Sequence, residues 1–478
     1  MKKAGHQQVT FISQRKLPAG YRLLMVFLLL ITAYCFLAAD VYALDIKKEI
    51  LPNNLKTLQV ERHNFPVVMM TLLIKASPLS EPSEKAGVAY LTSKMLSQGT
   101  AKRNAPAISE EIEFLGASID IATNNDYTTI SLSVLKKDIE KGLDLFSDIL
   151  LDPSFPDKEL SREKELLKGS LRQMEQEPAF VAGKNFIREV FGSHPYGRLA
   201  EGTVESIDAI KREDLLEFYA SHYVPDNAVI SIVGDLTPAE MKSLINKYLG
   251  KWGKSKAPTA QKIERKDLSK DAGSVGAGKS KPVLIDKELT QATIMFGHLG
   301  IARENPDYYA VSVMNYILGG GGFASRLMKS VRDDMGLAYG IFSSFTGNKE
   351  PGQFEVQVQT KNESSATVIN EILKQVNKMR TEPVTDSELK DAKAYLTGSF
   401  PRRFETSRRI ADFLTAAEFY NLGDDYIEKY PDYINKVTKE DVLRAAKKYL
   451  HADKYVLVVV GNQKKAGLTD FKPSEDIK

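Results

Sequence analysis

Histidine and cysteine, the residues that most often bind metal ions or act as nucleophiles, are few and scattered in this 478-residue chain. No two of its histidines lie close enough in sequence to share a helix turn, whereas zinc sites cluster their ligands. The six are His6, His63, His194, His222, His298 and His451. We interpret each as a structural or surface residue. The single cysteine, Cys35, lies in an apolar N-terminal run.

A run of four glycines, Gly319–Gly322, stands before a predicted helix. Glycine-rich turns at helix N-termini can bind phosphate through backbone N–H groups. This run lacks the G-x-x-x-x-G-K-[ST] pattern of nucleotide-binding loops, which makes nucleotide binding a poor interpretation. Because glycine permits close backbone approach, we predict a tight turn or a flexible loop that contacts peptide.

Length and charge limit the classes of function. A chain of 478 residues is too long for one core and predicts two to four domains of roughly 100–200 residues each. Its net charge is +3, and residues 1–43 alone carry five bases and one acid, so the remainder is close to neutral. A near-neutral body offers no broad basic surface, and we therefore exclude nucleic acid as a partner.

The N-terminus is typical of an export signal. A basic stretch ends at Arg22, and the seventeen uncharged residues of Leu23–Ala39 follow, with Val41-Tyr42-Ala43 after them. Small or β-branched residues at this spacing predict cleavage after Ala43 of a signal peptide, residues 1–43. The alternative is a retained membrane anchor, although the run falls short of the roughly 20 residues that span a bilayer. We expect a periplasmic protein, and cleavage would also remove Cys35, its only thiol.

The rest of the chain contains an internal duplication. Lys211–Asp235 aligns without a gap with Thr438–Asn462, at an offset of 227 residues. Glu159–Ser170 matches Glu388–Ser399 at an offset of 229 residues. Two stretches repeated at nearly the same period predict two halves of similar structure.

The halves are separated by residues 253–281, which are basic, rich in Gly and Ser, and without apolar periodicity, as in a linker. We place an N-terminal domain at residues 44–252, a C-terminal domain at 282–465 and a tail at 466–478. Short strands alternate with longer helices, which predicts an α+β fold with each sheet covered by helices. The predicted strands are Lys56–Glu61, Val67–Lys75 and Thr128–Val134, and the predicted helices are Lys137–Leu150 and Lys158–Glu175.

Several motifs, in order, resemble those of the pitrilysin/insulysin metallopeptidases, peptidase family M16, which includes the mitochondrial processing peptidase. They are Gly87–Leu96 with Gly99-Thr100, His194–Gly197, Gly319–Leu327, and Arg332 with Gly336–Tyr339. The resemblance spans nearly all of the chain after the N-terminal segment. It implies two duplicated halves, each a mainly antiparallel sheet covered by helices.

The resemblance also shows what this chain lacks. Active members carry H-x-x-E-H, in which two histidines on one helix face bind zinc and the glutamate activates water. Those positions are Tyr90, Ser93 and Lys94 here, and Ser170 stands in the region where the family has its ligand glutamate. A neutral phenol, a hydroxyl and an ammonium cannot replace imidazoles and a carboxylate. We therefore expect no zinc and no hydrolysis by this chain alone.

The resemblance assigns substrate binding to Arg332 and Tyr339, an Arg/Tyr pair seven residues apart. A guanidinium and a phenol can donate hydrogen bonds to the oxyanion of a tetrahedral intermediate or to peptide carbonyls. We predict a helix over Ser325–Met335, a left-handed cap at Gly336 and a strand over Leu337–Ser344. The alternative is structural: the arginine only complements the helix dipole, and the tyrosine is a half-buried strand residue.

Two functions remain in competition. In the first, the chain is the non-catalytic subunit of an exported protease, and it binds extended peptide beside a homologous partner that carries zinc. In the second, it is a structural or assembly protein with no proteolytic role, as the respiratory core proteins of the family are. A peptidase with an unusual metal site of its own is the hardest interpretation to support.

Overall fold

The computed structural model describes residues 44–253, 268 and 282–474. The predicted signal peptide (1–43), nearly all of the predicted linker and the last four residues of the predicted tail lie outside the described residues. Within the described ranges, no helix is long and apolar enough to cross a membrane.

The described residues form eleven strands in two sheets. In chain order, β1–β11 are Lys47–Ile50, Lys56–Glu61, Val67–Ile74, Ser118–Thr123, Thr128–Leu135, Ala228–Gly234, Val283–Asp286, Gln291–Leu299, Ile341–Phe345, Gln353–Lys361 and Val456–Gly461.

Fifteen α-helices accompany these strands in the described part of the chain. In chain order, α1–α15 are Val88–Met95, Ala105–Leu115, Ile139–Leu151, Asp157–Met174, Pro178–Phe191, Val204–Ala209, Arg212–His222, Pro238–Leu249, Tyr308–Asn315, Ser365–Thr381, Asp386–Ser399, Ser407–Phe419, Tyr426–Asn435, Lys439–Tyr449 and Gln463–Ala466.

The two sheets have the same topology. The first has the order β1-β2-β6-β3-β5-β4 and the second the order β7-β11-β8-β10-β9, so they coincide once β1 is set aside. In each, one parallel pair (β2 with β6, β7 with β11) joins otherwise antiparallel strands. The predicted α+β fold of two duplicated, mainly antiparallel halves is confirmed.

The repeated sequences form equivalent elements. Helix α7 and strand β6 of the first copy correspond to α14 and β11 of the second. Helices α4 and α11 begin at Asp157 and Asp386, which is the offset of 229 residues. The β-branched runs of β6 and β11 are buried along their whole length, as expected for central strands covered on both faces.

Each half supplies a helix that covers the sheet of the other half. Helix α5 of the N-terminal half packs on β8 and β11, and the equivalent α12 of the C-terminal half packs on β3 and β6. The Ser231 hydroxyl donates to the Ala411 carbonyl at 2.8 Å, and Thr71 donates to Asp412 at 2.7 Å. This exchange joins the two halves, over the residues from 46 onward that the structure describes, into one compact unit.

A buried carboxylate also joins the halves. Asp126, in the turn between β4 and β5, accepts hydrogen bonds from the Tyr420 hydroxyl at 2.8 Å and the Lys349 amide at 3.0 Å. The Tyr196 hydroxyl donates to it as well. His194, within the predicted loop motif, contacts Glu350 of the C-terminal half at 2.9 Å. Buried and multiply bonded, these groups hold the two halves in register.

The second sheet remains partly open. Helix α5 covers β8 and β11, but along β10 every second side chain from Gln357 to Lys361 is exposed. Strand β9, at the sheet edge, pairs with β10 only from Phe354 to Val358. The free end of β10 lies beside the segment that precedes β9, and that segment contains Tyr339.

Candidate functional site

Helix α1 carries the positions of the lost zinc motif, and its N-terminus is firmly held. Gly87 precedes it with φ of +97°, and a side chain there would collide with the Glu201 carbonyl. The buried Glu81 carboxylate accepts hydrogen bonds from the backbone N–H groups of Gly87 at 3.0 Å and Ala89 at 3.2 Å. Burial raises the pKa of Glu81 to about 7, although these two bonds oppose the shift.

The three motif positions bond among themselves. The Ser93 hydroxyl is buried and donates to the Tyr90 carbonyl at 2.7 Å, one helix turn back. Tyr90 and Lys94, at positions i and i+4, share the half-buried face of α1, and the Lys94 ammonium lies 5.5 Å from the centroid of the Tyr90 ring. This is a cation–π contact, in which the ammonium is attracted to the face of the ring. The site therefore already contains a positive charge of its own.

These residues do not fit a zinc ion. Burial raises the pKa of the Tyr90 phenol, and the negative charges of Glu201 and Glu163 raise it further, so the phenol stays protonated. A neutral phenol is a weak ligand, and the Lys94 ammonium repels a divalent cation. Ser170, in the region of the expected ligand glutamate, is exposed on α4. Across residues 44–253, 268 and 282–474, no three His, Cys, Asp or Glu side chains are grouped as a metal site.

Arg332 lies at the end of a helical segment, Met328–Asp334. The predicted helix is present here, but with π-type geometry: the Met335 N–H donates to the Ser330 carbonyl, five residues back, at 3.1 Å. Gly336 has φ of +63°, which confirms the predicted left-handed cap. In the same helical segment, Met328 and Val331 are buried, while the Arg332 side chain is partly exposed.

Tyr339 stands outside the sheet, which corrects the predicted strand over Leu337–Ser344. Strand β9 begins only at Ile341, because the Leu337 carbonyl accepts from the Thr360 hydroxyl at 2.6 Å instead of from a backbone N–H of β10. The side chain of Tyr339 is 94% exposed. The alternative of a half-buried strand tyrosine is therefore wrong.

The structure brings Arg332 and Tyr339 together and adds a third residue. The Arg332 guanidinium carbon lies 5.8 Å from the centroid of the Tyr339 ring and 4.7 Å from that of Phe323. Phe323, which directly follows the glycine run, is 72% exposed. Two aromatic rings thus fix a guanidinium that is also 3.2 Å from Asp333.

The glycine run builds the support for this cluster. Gly319 packs against β9 so closely that a side chain would come within 2.5 Å of the Ser343 hydroxyl. Gly322 has φ of +58° just before Phe323. The first two glycines end a helical segment with π-type geometry, Tyr316–Gly320. Only the second half of the run therefore forms a turn, with a single 3₁₀ turn over Gly322–Ala324, and this path determines where Phe323 stands.

An open groove of about 590 Å³ adjoins Tyr339. Its wall is the segment Gly336–Gly340, and its floor is the exposed face of β10 with Phe342 of β9. Phe342, opposite Gln357 in the register, is 55% exposed. Aromatic rings, amides and a cation along an exposed strand face can hold an extended peptide.

Several histidines have structural roles, as predicted. The His194 ring accepts from the Tyr196 N–H at 3.2 Å and caps the turn Pro195–Gly197. His222 bonds to the Phe218 carbonyl at 3.0 Å. Burial lowers the pKa of His298 to about 3, and this neutral ring accepts a hydrogen bond from the backbone N–H of His451 at 3.1 Å.

Sequence reasoning missed Phe323, Phe342 and Lys361, which stand around the Arg/Tyr pair. A signal for Lys361 was present, because Gln353–Lys361 alternates polar and apolar residues, a pattern typical of a half-exposed strand. Phe323 had no such signal, since its contact with Arg332 depends on how the glycine run turns. The zinc-motif positions belong to the N-terminal half and the Arg/Tyr pair to the C-terminal half.

Comparisons with known proteins agree with this architecture. Residues 56–204 match the family model described as Insulinase (Peptidase family M16), and residues 209–396 match the model described as Peptidase M16 inactive domain. The crystal structure of a peptidase M16 inactive domain from Pseudomonas fluorescens is 32% identical, has a TM-score of 0.79, and covers 87% of this chain and 98% of its own.

Curated relatives have mixed names. A non-peptidase homolog, YmxG of Helicobacter pylori, is 26% identical over 87% of this chain and 94% of its own length. An uncharacterized zinc protease of Mycobacterium leprae is 26% identical over 80% of this chain and 84% of its own. The inactive-domain and non-peptidase names are consistent with the altered zinc positions of a non-catalytic protein. The motifs, the duplicated fold and these matches together show that the chain belongs to peptidase family M16.

Proposed function

We propose that this chain is the non-catalytic subunit of an exported M16-type zinc metallopeptidase. It binds an extended peptide, and a homologous zinc-bearing chain carries the hydrolysis. One contrast supports the proposal most: Tyr90, Ser93 and Lys94 fill the zinc positions, while Arg332 and Tyr339 stand at the surface beside an open groove. A purely structural protein has no need to expose that pair.

The chemistry of the pair suits this role. Hydrolysis of a peptide bond places negative charge on the former carbonyl oxygen, and preorganised donors stabilise that charge. The Arg332 guanidinium is always protonated, and the phenol of Tyr339 is a second donor. Contact with the aromatic rings of Phe323 and Tyr339 limits the orientations of the guanidinium before substrate arrives. Enclosure by a partner chain would exclude water and strengthen both hydrogen bonds.

Two experiments test the proposal. Native pull-down from the envelope fraction, followed by mass spectrometry, should recover a same-sized M16 homologue that carries H-x-x-E-H, and zinc should copurify with that homologue. Peptide hydrolysis should then require both chains. Recovery of a monomer or homodimer alone, or one tightly bound zinc per copy of this chain, would overturn the proposal.

The structural or assembly role is the other candidate, and the same reconstituted assay separates the two. If the chain only supports assembly, Arg332→Ala and Tyr339→Phe leave hydrolysis unchanged. Export is tested separately by sequencing the mature N-terminus from a fractionated cell. We expect it at Leu44 in the periplasmic fraction, whereas a chain that keeps residues 1–43 in the membrane fraction supports the anchor.

A further inference from the structure

Among the described residues, the side chains that line the groove beside Tyr339 carry positive charge and no negative charge. Its lining contains one cation, Lys361, and no carboxylate. The other polar side chains there are three amides and the Tyr339 phenol. The amides are Gln291, Gln357 and Gln359. Arg332 adds a second cation next to the groove through its contact with the ring of Tyr339.

Two acidic residues near the groove, Glu355 and Asp333, have partners outside its lining. On the same face of β10, Glu355 accepts from the Ser344 hydroxyl at 3.2 Å and from the Gln353 amide at 3.4 Å. Asp333 contacts Arg332 at 3.2 Å, but both side chains are partly exposed. An exposed pair of this kind contributes little, so a second carboxylate can approach the guanidinium. The Lys361 ammonium faces no acid within the groove lining.

The backbone at this point suits an extended chain. Pairing between β9 and β10 ends at Ile341 and Val358, whereas β10 continues to Lys361, still paired with β8 on its other side. Beyond Val358, the edge of β10 that faces the Gly336–Gly340 segment has no strand in register. An extended peptide lying along the groove beside this segment would place alternate side chains about 7 Å apart, the spacing of Gln359 and Lys361.

We infer that this groove selects extended peptides that present acidic and apolar side chains on the same face, because Phe342, opposite Gln357 in the register, shares a face of the sheet with Lys361. Lys361 and Arg332 pair with the carboxylates, and the exposed rings of Phe342 and Tyr339 contact the apolar residues. The inference rests on the proposed function, because it assigns a substrate class to the same peptide site. It concerns binding by this chain, however, and is tested without the partner.

The probe is a fluorescein-labelled, C-terminally amidated nonapeptide in which glutamate and leucine take turns at every second position with serine between them, so that both lie on one face of the extended chain. Two counterparts carry glutamine or lysine at every glutamate position. Amidation removes the terminal carboxylate, so only side chains are compared. Fluorescence anisotropy with the full chain should show about 25-fold weaker binding of the glutamine peptide, the product of two exposed ion pairs at about fivefold each, and still weaker binding of the lysine peptide. Added salt should reduce the difference.

Substitutions of the two cations test whether the preference for glutamate arises in the groove. Lys361→Gln should lower the glutamate preference about fivefold, and the double variant Lys361→Gln, Arg332→Gln should abolish it. Lys390→Gln is the matched control, because this lysine is exposed on α11 outside the groove lining and the charge change is the same. Circular dichroism checks that each variant is folded.

Equal binding of the three peptides, no binding of any, or a preference that survives the double variant would overturn the inference. The proposed function is judged by a different readout, hydrolysis reconstituted with the zinc-bearing chain. Acidic selectivity can therefore fail while Arg332→Ala still lowers turnover. Conversely, selective binding can persist in a chain that supports no hydrolysis.

Discussion

The zinc-motif positions of the N-terminal half and the Arg/Tyr region of the C-terminal half have opposite environments. On α1, Ser93 is buried against the Tyr90 carbonyl, and Lys94 lies over the Tyr90 ring. In the C-terminal half, Tyr339 is almost fully exposed and Arg332 lies between two rings at the surface. One region uses its polar groups internally, and the other presents them outward.

The difference shows how a duplicated fold can divide its roles. Both halves have the same sheet order, so the fold alone does not decide where chemistry occurs. A polar group already bonded within the protein contributes to stability, whereas one held in place but left exposed is available to a ligand. We therefore expect substitutions on α1 to affect folding and substitutions around Arg332 to affect activity.

The largest expected effect is that of Arg332→Ala in the reconstituted protease. Loss of one preorganised donor costs about 10²-fold or more in turnover, while the exposed position leaves the stability of the chain unchanged. The matched substitution Lys94→Ala, which removes a cation from the other region, should leave turnover within about twofold, the range of a neutral surface change. Steady-state kinetics of both variants measure the two losses of turnover. Equal losses would show that the two regions contribute equally to activity.

Glu81 tests the structural role of the α1 region. Its pKa is about 7 in the folded chain against an ordinary value of 4.5, so the folded state favours the neutral acid. Stability from this group is complete below about pH 4.5 and is lost as the pH rises through about 7, a change of about 3 kcal/mol.

In Glu81→Gln, the free energy of unfolding should therefore depend less on pH between these values. Urea denaturation at a series of pH values measures the slope. The control is Glu240→Gln, an exposed glutamate that caps α8. An unchanged slope in Glu81→Gln would show that Glu81 does not titrate in this window.

A smaller effect is expected for Tyr339→Phe, which removes the hydroxyl and keeps the ring beside Arg332. Loss of one neutral hydrogen bond corresponds to about tenfold in turnover of the reconstituted protease. KM should change less than kcat, since the hydroxyl acts mainly on the charged intermediate. If turnover is unchanged, the ring rather than the hydroxyl is what the site uses.

The smallest effect is expected for Phe323→Ala, because this ring acts through Arg332. A cation–π contact at an exposed site corresponds to about a two- to fivefold loss of turnover. The loss should vanish in an Arg332→Ala background, where no guanidinium remains to be positioned. Tyr395→Ala is the matched control, an exposed aromatic residue of the same half whose ring lies tilted against that of Tyr316. Additive losses would contradict the positioning role.

Much of the fold follows from the sequence. The predicted strand Lys56–Glu61 is β2, and the helix predicted over Lys158–Glu175 differs from α4 by one residue at each end. The left-handed Gly336 was predictable because a glycine after a helical run is the usual cap. The start of β9 was not, since a hydrogen bond from Thr360, twenty-three residues away, replaces the strand pairing.

The sequence by itself determined the duplication, the two kinds of element and the replacement of the H-x-x-E-H side chains, because these depend on periodicity and on the identities of side chains. Tertiary structure alone decided that α5 and α12 each pack on the sheet of the other half and that Phe323 contacts Arg332. It also decided that a groove opens where the pairing of β9 with β10 ends. Each of these depends on contacts between residues distant in the chain or on the path of a turn, and no local pattern records them.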